Sequence, residues 1–237
     1  MAHPAVAELL WPNVPLIRLE AGEPGPTALV QAGIHGDEIA GVHALQELLE
    51  EGLAPSRGKL LVVPVMNPPA YRVRERFVPG GLDLNRQFPG VPSHDRYEPM
   101  LAHRFMNLVL EERPALVATL HESTKRYDPD RVPSFGQTLV YGVQPVPPLV
   151  QQVVDGMNGA LEDEDERWAT LYYPVATSST EVIVEAIGCV GVCVETWMGF
   201  PERRRIDMHK EVVRRLLQGV GVLPTEPRDS TRAREGG

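Results

Sequence analysis

Thr27-Ala28-Leu29-Val30-Gln31-Ala32-Gly33-Ile34-His35-Gly36-Asp37-Glu38 reads as a buried strand that stops at a glycine. The turn that follows carries a histidine and a carboxylate three residues apart. From Asp37 the pattern changes: Ile39, Val42, Leu45, Leu48 and Leu49 recur at helical spacing through Glu50, with Gly52 as the stop. Glu38 is expected in the first turn of that helix. A strand that passes through a polar turn into a helix is the repeating unit of an α/β fold, in which ligands gather at the carboxyl ends of parallel strands.

The rest of the chain repeats the unit. Pro15 to Leu19, Lys59 to Val65, Ala115 to Leu120, Gln137 to Tyr141 and Gly191 to Glu195 are short apolar runs bounded by Gly, Pro or polar residues, as core strands are. Helical patterns run from Tyr97 to Glu112, Pro148 to Leu161, Ser178 to Ile187 and Ile206 to Leu217. Met66 to Asp95 has little periodicity and reads as a long loop, and loops of that length usually carry function or are disordered. One domain over 1–224 with a disordered polar tail over 225–237 is the expected organisation.

Composition narrows the class. Hydrophobic residues at 43% and charged residues at 23% describe an ordinary globular protein. No apolar run reaches the roughly 18 residues of a membrane span, and Met1-Ala2-His3-Pro4 opens no signal sequence, so a cytoplasmic protein without a membrane partner is expected. A formal charge of −9 disfavours nucleic acid. Glu162 to Glu166 reads as a solvated acidic segment. Cys189 and Cys193 on one extended strand would lie roughly 13 Å apart, too far for a disulfide. Both are expected as buried thiols.

Three polar groups fall at predicted strand ends: His35, His121 in Leu120-His121-Glu122, and Glu195. Two His and one Glu around zinc, with a fourth position open to water, form a catalytic ligand set. His35, Glu38 and His121 are therefore the candidate ligands of one divalent metal, and zinc suits imidazole with carboxylate better than calcium or magnesium. Glu122 should point away from His121 if the strand persists. His121-Glu122-Ser123-Thr124-Lys125 lacks the second histidine of the metalloprotease helix motif. His43 and His103 fall on helices, and His3, His94 and His209 in segments expected at the surface. No Gly-x-Ser-x-Gly elbow and no phosphate-binding glycine loop is present.

Taken in order, Gly33-Ile34-His35-Gly36-Asp37-Glu38, Asn67-Pro68-Pro69-Ala70, Asp83-Leu84-Asn85-Arg86-Gln87-Phe88-Pro89-Gly90, His121-Glu122 and Val194-Glu195-Thr196 resemble the succinylglutamate desuccinylase/aspartoacylase family. That family is related to the carboxypeptidase A-like zinc peptidases. The resemblance implies a three-layer α/β/α sandwich around a mixed, mainly parallel, eight-stranded sheet. It also implies one zinc ion per chain held by His35, Glu38 and His121. By the same resemblance Glu195 is the general base and acid, Arg76 polarises the scissile carbonyl, and Asn85 with Arg86 grips a substrate carboxylate. The chemistry agrees, since an Arg fork clamps a carboxylate with two parallel hydrogen bonds. Arg72 and Arg74 read as exposed loop charges, and Asp83 as a group that orients a ligand or the loop.

The short stretch after Glu195 leaves no room for the extra C-terminal β-domain of many family members, which implies a more open cleft; Tyr172 or Tyr173 is a candidate for the tyrosine that domain supplies. Trp197 is a candidate wall of the pocket, with packing as its plainer role. The reading is a zinc-dependent deacylase of a small carboxylate-bearing substrate such as an N-acyl amino acid. Its alternatives are a zinc carboxypeptidase trimming peptide C-termini, cell-wall peptides among them, and a non-catalytic binding protein that kept the fold.

Overall fold

Eight strands form one mixed sheet in the order β1-β2-β4-β3-β5-β8-β6-β7. The computed structural model describes residues 6–131 and 133–225; all but the first residue of the expected tail, and His3, lie outside them. In chain order the elements are β1 (Val6–Trp11), β2 (Val14–Glu20), β3 (Thr27–Ala32), α1 (Ala40–Glu50), β4 (Lys59–Val63), α2 (Pro68–Val73), α3 (Tyr97–Glu112), β5 (Leu116–Ser123), β6 (Thr138–Tyr141), α4 (Pro148–Asn158), β7 (Ala169–Tyr172), α5 (Ser179–Ile187), β8 (Val190–Trp197) and α6 (Glu202–Gly219). The central strands β4, β3, β5 and β8 run parallel, and β1, β2 and β6 bring in the antiparallel pairings.

Alternation along the central strands makes the three layers. Val30, Val62, Ala118 and Val192 lie in register and join one core with α1, α4 and α6. Their neighbours Leu29, Leu61 and Val117 face the opposite way and pack with Leu101 and Phe105 of α3 and Ile183 of α5. A strand covered on both faces has no solvent side, which is why these runs are continuously apolar. Among the described residues no helix is long and apolar enough to cross a membrane. Cys189 and Cys193 are free, as expected.

Two departures from the sequence expectations matter for the site. Helix α1 begins at Ala40, so Glu38 sits in the turn before it and not in its first turn. The stretch from Met66 to Asp95, expected as a loop, holds α2 and a single 3-10 turn over Leu84–Arg86. Asn67 caps α2 by accepting the Ala70 N–H at 3.3 Å, and Arg74 ends it in the left-handed conformation. The first turn of α3 then pins the segment. The Tyr97 hydroxyl donates to Asn67 Oδ1 at 2.7 Å, and the buried Glu98 accepts the Leu82 N–H at 2.9 Å.

The β3–α1 turn is fitted closely against this segment. Gly36 donates its N–H to the Glu75 carbonyl at 3.0 Å, and a Cβ at position 36 would collide with the backbone carbonyl of Ala70. Replacing Gly36 with Ala is therefore expected to cost about 1–3 kcal/mol, the usual range for overpacking, read as a lower urea midpoint. An unchanged midpoint would mean that the turn yields without strain.

Candidate metal centre and active site

The parallel strands end on one rim of the sheet, and that rim carries the polar groups. The turn after β3 presents His35 and Glu38. Toward the ends of β5 and β8, His121 and Glu195 are register partners in a parallel ladder and so emerge side by side on the same face. His35, Glu38 and His121 are all buried.

The Glu38 carboxylate bridges the two imidazoles. Its Oε1 lies 2.7 Å from His35 Nδ1 and its Oε2 2.8 Å from His121 Nδ1. The rings are tilted with centroids 5.0 Å apart. One donor atom from each residue falls within 4.8 Å of the others. Burial alone would raise the Glu38 pKa, but the two histidines outweigh it and hold the carboxyl well below the usual range. Burial would likewise lower the His35 pKa, yet the Glu38 charge, with hydrogen bonds to Asp83 and Glu38, raises it to about 9. For His121 burial prevails and its pKa falls. Two imidazole nitrogens converging on one carboxylate in a water-poor pocket match the donor set of a zinc site. The distal nitrogen of His35 fits as well: its Nε2 lies 3.3 Å from Asp83 Oδ1, where a metal-ligating histidine commonly meets a carboxylate.

Asp83 organises the groups beside the donor cluster. Its Oδ2 accepts from Arg76 Nε at 3.0 Å and Nη2 at 2.9 Å, while its Oδ1 accepts the Asn85 N–H at 3.0 Å. The Arg76 Nη1 atom then lies 3.4 Å from His35 Nδ1 and 3.7 Å from Glu38 Oε1, on the edge of the donor cluster. Arg72 and Arg74 point elsewhere and are exposed. Asn85 is buried, and its Oδ1 is taken by the Ser179 backbone N–H at 2.9 Å and the Ser179 hydroxyl at 3.2 Å. With the oxygen committed to α5, the amide NH2 is the end left to donate. The exposed Arg86 guanidinium is held by one hydrogen bond to the Asn85 carbonyl.

These groups line a cavity of about 530 Å³ together with Glu195, Cys193 and Tyr173. Burial and the negative charge of Glu38 push the Glu195 carboxyl up to about 8. The Cys193 thiol, 3.6 Å from Glu195 Oε1, is raised well above its ordinary value, chiefly by burial. Tyr173 reaches the cavity, edge-on to Phe135 at 5.0 Å, while Tyr172 is exposed and does not line it. Trp197 packs on Phe200 at 5.2 Å and is not among the lining residues, so packing is its role.

Behind the rim a second polar cluster holds the histidine strand. Glu122 accepts the Ala40 N–H at the start of α1 at 2.8 Å and pairs with Arg205 of α6, and its own N–H points to Glu38 Oε2 at 3.3 Å. His209, expected at the surface, is instead fully buried, 3.1 Å from the Thr196 hydroxyl. The first half of α6 is rich in charged residues, and that composition hides which helix face meets the sheet. Ser179, Arg205 and His209 carry no local signal, because each acts through a partner far away in the chain.

Residues 24–128 match the family model of the succinylglutamate desuccinylase/aspartoacylase catalytic domain. The chain is 37% identical over 117 residues to N-alpha-acetyl-L-2,4-diaminobutyric acid deacetylase of Halomonas elongata, covering 48% of this chain and 33% of that protein. It is 41% identical over 86 residues to succinylglutamate desuccinylase of Burkholderia pseudomallei, covering 34% and 24%. The matched stretches thus span about a third or less of these relatives. Among solved structures, product-bound Csd4 of Helicobacter pylori superposes with a TM-score of 0.76 at 20% identity, over 92% of this chain and 56% of that one. A succinylglutamate desuccinylase/aspartoacylase from Rhodobacter sphaeroides gives 0.69 at 23% identity, over 95% and 67%. In its motifs and over residues 24–128 the chain is thus similar to the succinylglutamate desuccinylase/aspartoacylase family, and it shares the fold of these solved structures.

Proposed function

We propose that this chain is a zinc-dependent hydrolase that cleaves the amide bond of a small carboxylate-bearing substrate, in the manner of an N-acyl amino acid deacylase. One observation carries the reading. A buried His–Glu–His donor set, a half-buried carboxylate, a tethered arginine and an Asn–Arg pair share a single cavity. Relatives that deacetylate or desuccinylate amino acids support the same class. Free Cys189 and Cys193 fit a reducing, cytoplasmic setting.

His35, Glu38 and His121 would hold the metal. Zinc supplies a Lewis acid that brings the pKa of water to near 7. Glu195, on the neighbouring strand, accepts the proton of the attacking water and later delivers it to the leaving amine. Glu38 contributes part of the raised Glu195 pKa, and a cation held by the donor set would offset that part. Arg76 places a guanidinium where negative charge develops on the scissile carbonyl oxygen, and Asp83 fixes it there so that little reorganisation is needed. Asn85 donates its amide NH2 to a substrate carboxylate, and Arg86 closes on the same group as a fork.

Incubating zinc-loaded protein with a mixed set of N-acyl amino acids and short peptides, followed by mass spectrometry, tests the reading. Free amino acid with free acyl carboxylate is expected. Release of C-terminal residues from the peptides alone would replace it with the carboxypeptidase alternative.

Three further outcomes follow from the geometry. Because His35 holds a proton up to about pH 9 without metal, zinc must displace it. Affinity should rise with pH toward that value, and binding at pH 7.5 should release a proton, seen by calorimetry in buffers of different ionisation enthalpy. A pH-independent affinity would mean that His35 is not a ligand. Glu195→Gln should retain zinc but lose on the order of 100-fold or more in turnover; full turnover would remove Glu195 from the proton transfer. Arg86→Ala should raise KM several-fold for carboxylate substrates and change kcat little, and a fall confined to kcat would contradict a binding role.

A further inference from the structure

Glu181 stands in the first turn of α5, three residues after the helix cap Ser178. Ser-x-x-Glu is the sequence of a capping box, in which the glutamate would bond back to the N–H of the cap. Here half of the box is formed: Ser178 Oγ accepts the Glu181 N–H at 3.3 Å. The other half is pre-empted, because the Ser178 N–H already donates to the Val175 carbonyl at 2.8 Å. The Glu181 carboxylate is thus released from the task its sequence position suggests. Among the described residues it has no hydrogen-bond or ion-pair partner.

Its place is nevertheless defined. The carboxylate lies against Gly142, just past the end of β6, and a Cβ at position 142 would overlap all three of its terminal atoms. Glu181 lines the cavity on the α5 wall. Two residues before it, Ser179 holds Asn85, so the same helix end carries both the carboxylate and the support of the carboxylate-binding pair. Partial burial raises its pKa, and among the described residues no ion pair offsets it, which fits a group left for a positively charged visitor. Of the other lining carboxylates outside the donor set and Glu195, Glu122 is taken by Arg205 and the Ala40 N–H, and Asp37 is exposed and sits beside Glu38 and Arg76.

We propose that Glu181 is a specificity-determining residue: its carboxylate, seated against Gly142, receives an amine of the substrate, so that the preferred substrate carries both a carboxylate for Asn85 and Arg86 and a cationic side chain. The inference rests on the proposed deacylase reading and narrows it from carboxylate-bearing amides to zwitterionic ones. Helix-dipole stabilisation explains an acidic residue at this position, but not the glycine that makes room for it or its aim into the cavity.

Calorimetry and kinetics separate the two layers. The zinc-loaded protein, wild type and Glu181→Gln, is titrated with free 2,4-diaminobutyrate, ornithine and lysine and with their uncharged counterparts norvaline and norleucine. The Nα-acetyl and Nα-succinyl forms of the same amino acids are assayed for hydrolysis. At least one amine-bearing ligand is expected to bind about tenfold or more tighter than its uncharged counterpart. Glu181→Gln should erase that difference and leave binding of the uncharged compound unchanged, an outcome that a purely structural role would not give. Gly142→Ala, which displaces the carboxylate without removing it, should weaken the preference as well. Equal binding of charged and uncharged ligands, no binding of either, or a preference that survives in Glu181→Gln overturns the inference. Hydrolysis without charge preference leaves the deacylase reading standing and removes Glu181 from it; charge-selective binding without hydrolysis does the reverse.

Discussion

The buried carboxylate of Glu38 sets the terms for the rest of the site. An ionised carboxyl removed from water is costly unless it is paired and hydrogen-bonded. Each oxygen of Glu38 meets one imidazole, and Oε2 also faces the Glu122 N–H. The partners come from the turn after β3 and from β5, so the charge is compensated only when those parallel strands are in register. The same arrangement leaves two imidazole nitrogens and a carboxylate aimed at one point. The residues that make the burial tolerable are thus the residues that can hold a cation.

Asp83 repeats the device one layer out. It joins His35, Arg76 and the backbone of Asn85, so a single side chain couples the donor cluster to the Asn85–Arg86 wall of the cavity. Asp83 belongs to the segment between β4 and α3, which α3 pins through Tyr97 on Asn67 and Glu98 on the Leu82 N–H. A long connection with little periodicity is held by a few buried polar contacts, and in that state it places a guanidinium beside His35 and Glu38. On the opposite wall α5 does comparable work: Ser179 turns the Asn85 amide, and Glu181 adds an unpaired negative charge.

The central strands and the helices α1, α3, α4, α5 and α6 were legible because burial on both faces writes itself as continuous apolar runs, and burial on one face as helical periodicity. The elements that escaped notice are those without such a pattern. Strand β1 is an edge strand with only Leu10 buried, β7 is half-exposed along its length, and α2 is a six-residue helix opened by two prolines. The candidate site was legible for a different reason. His35, Glu38, His121 and Glu195 fall at strand ends, so a correct strand assignment places them on one rim even before any distance is known. His209 was misread because the charged residues around it in α6 conceal a buried face that only packing against the sheet defines.

By itself the sequence determined the alternation of strands and helices, the residue types at the strand ends, and the family motifs that order them. Those features are local: apolar spacing follows from burial within one element, and a motif is a run of neighbours. Only the tertiary structure decided that Asn85 presents its amide NH2, that Asp83 ties Arg76 to His35, that Tyr173 and not Tyr172 lines the cavity, and that Glu181 lies against Gly142 instead of completing its capping box. Each of these depends on which of several chemically able partners reaches a given atom first. That competition is settled between residues far apart in the chain, where the spacing of one element carries no information about its neighbour.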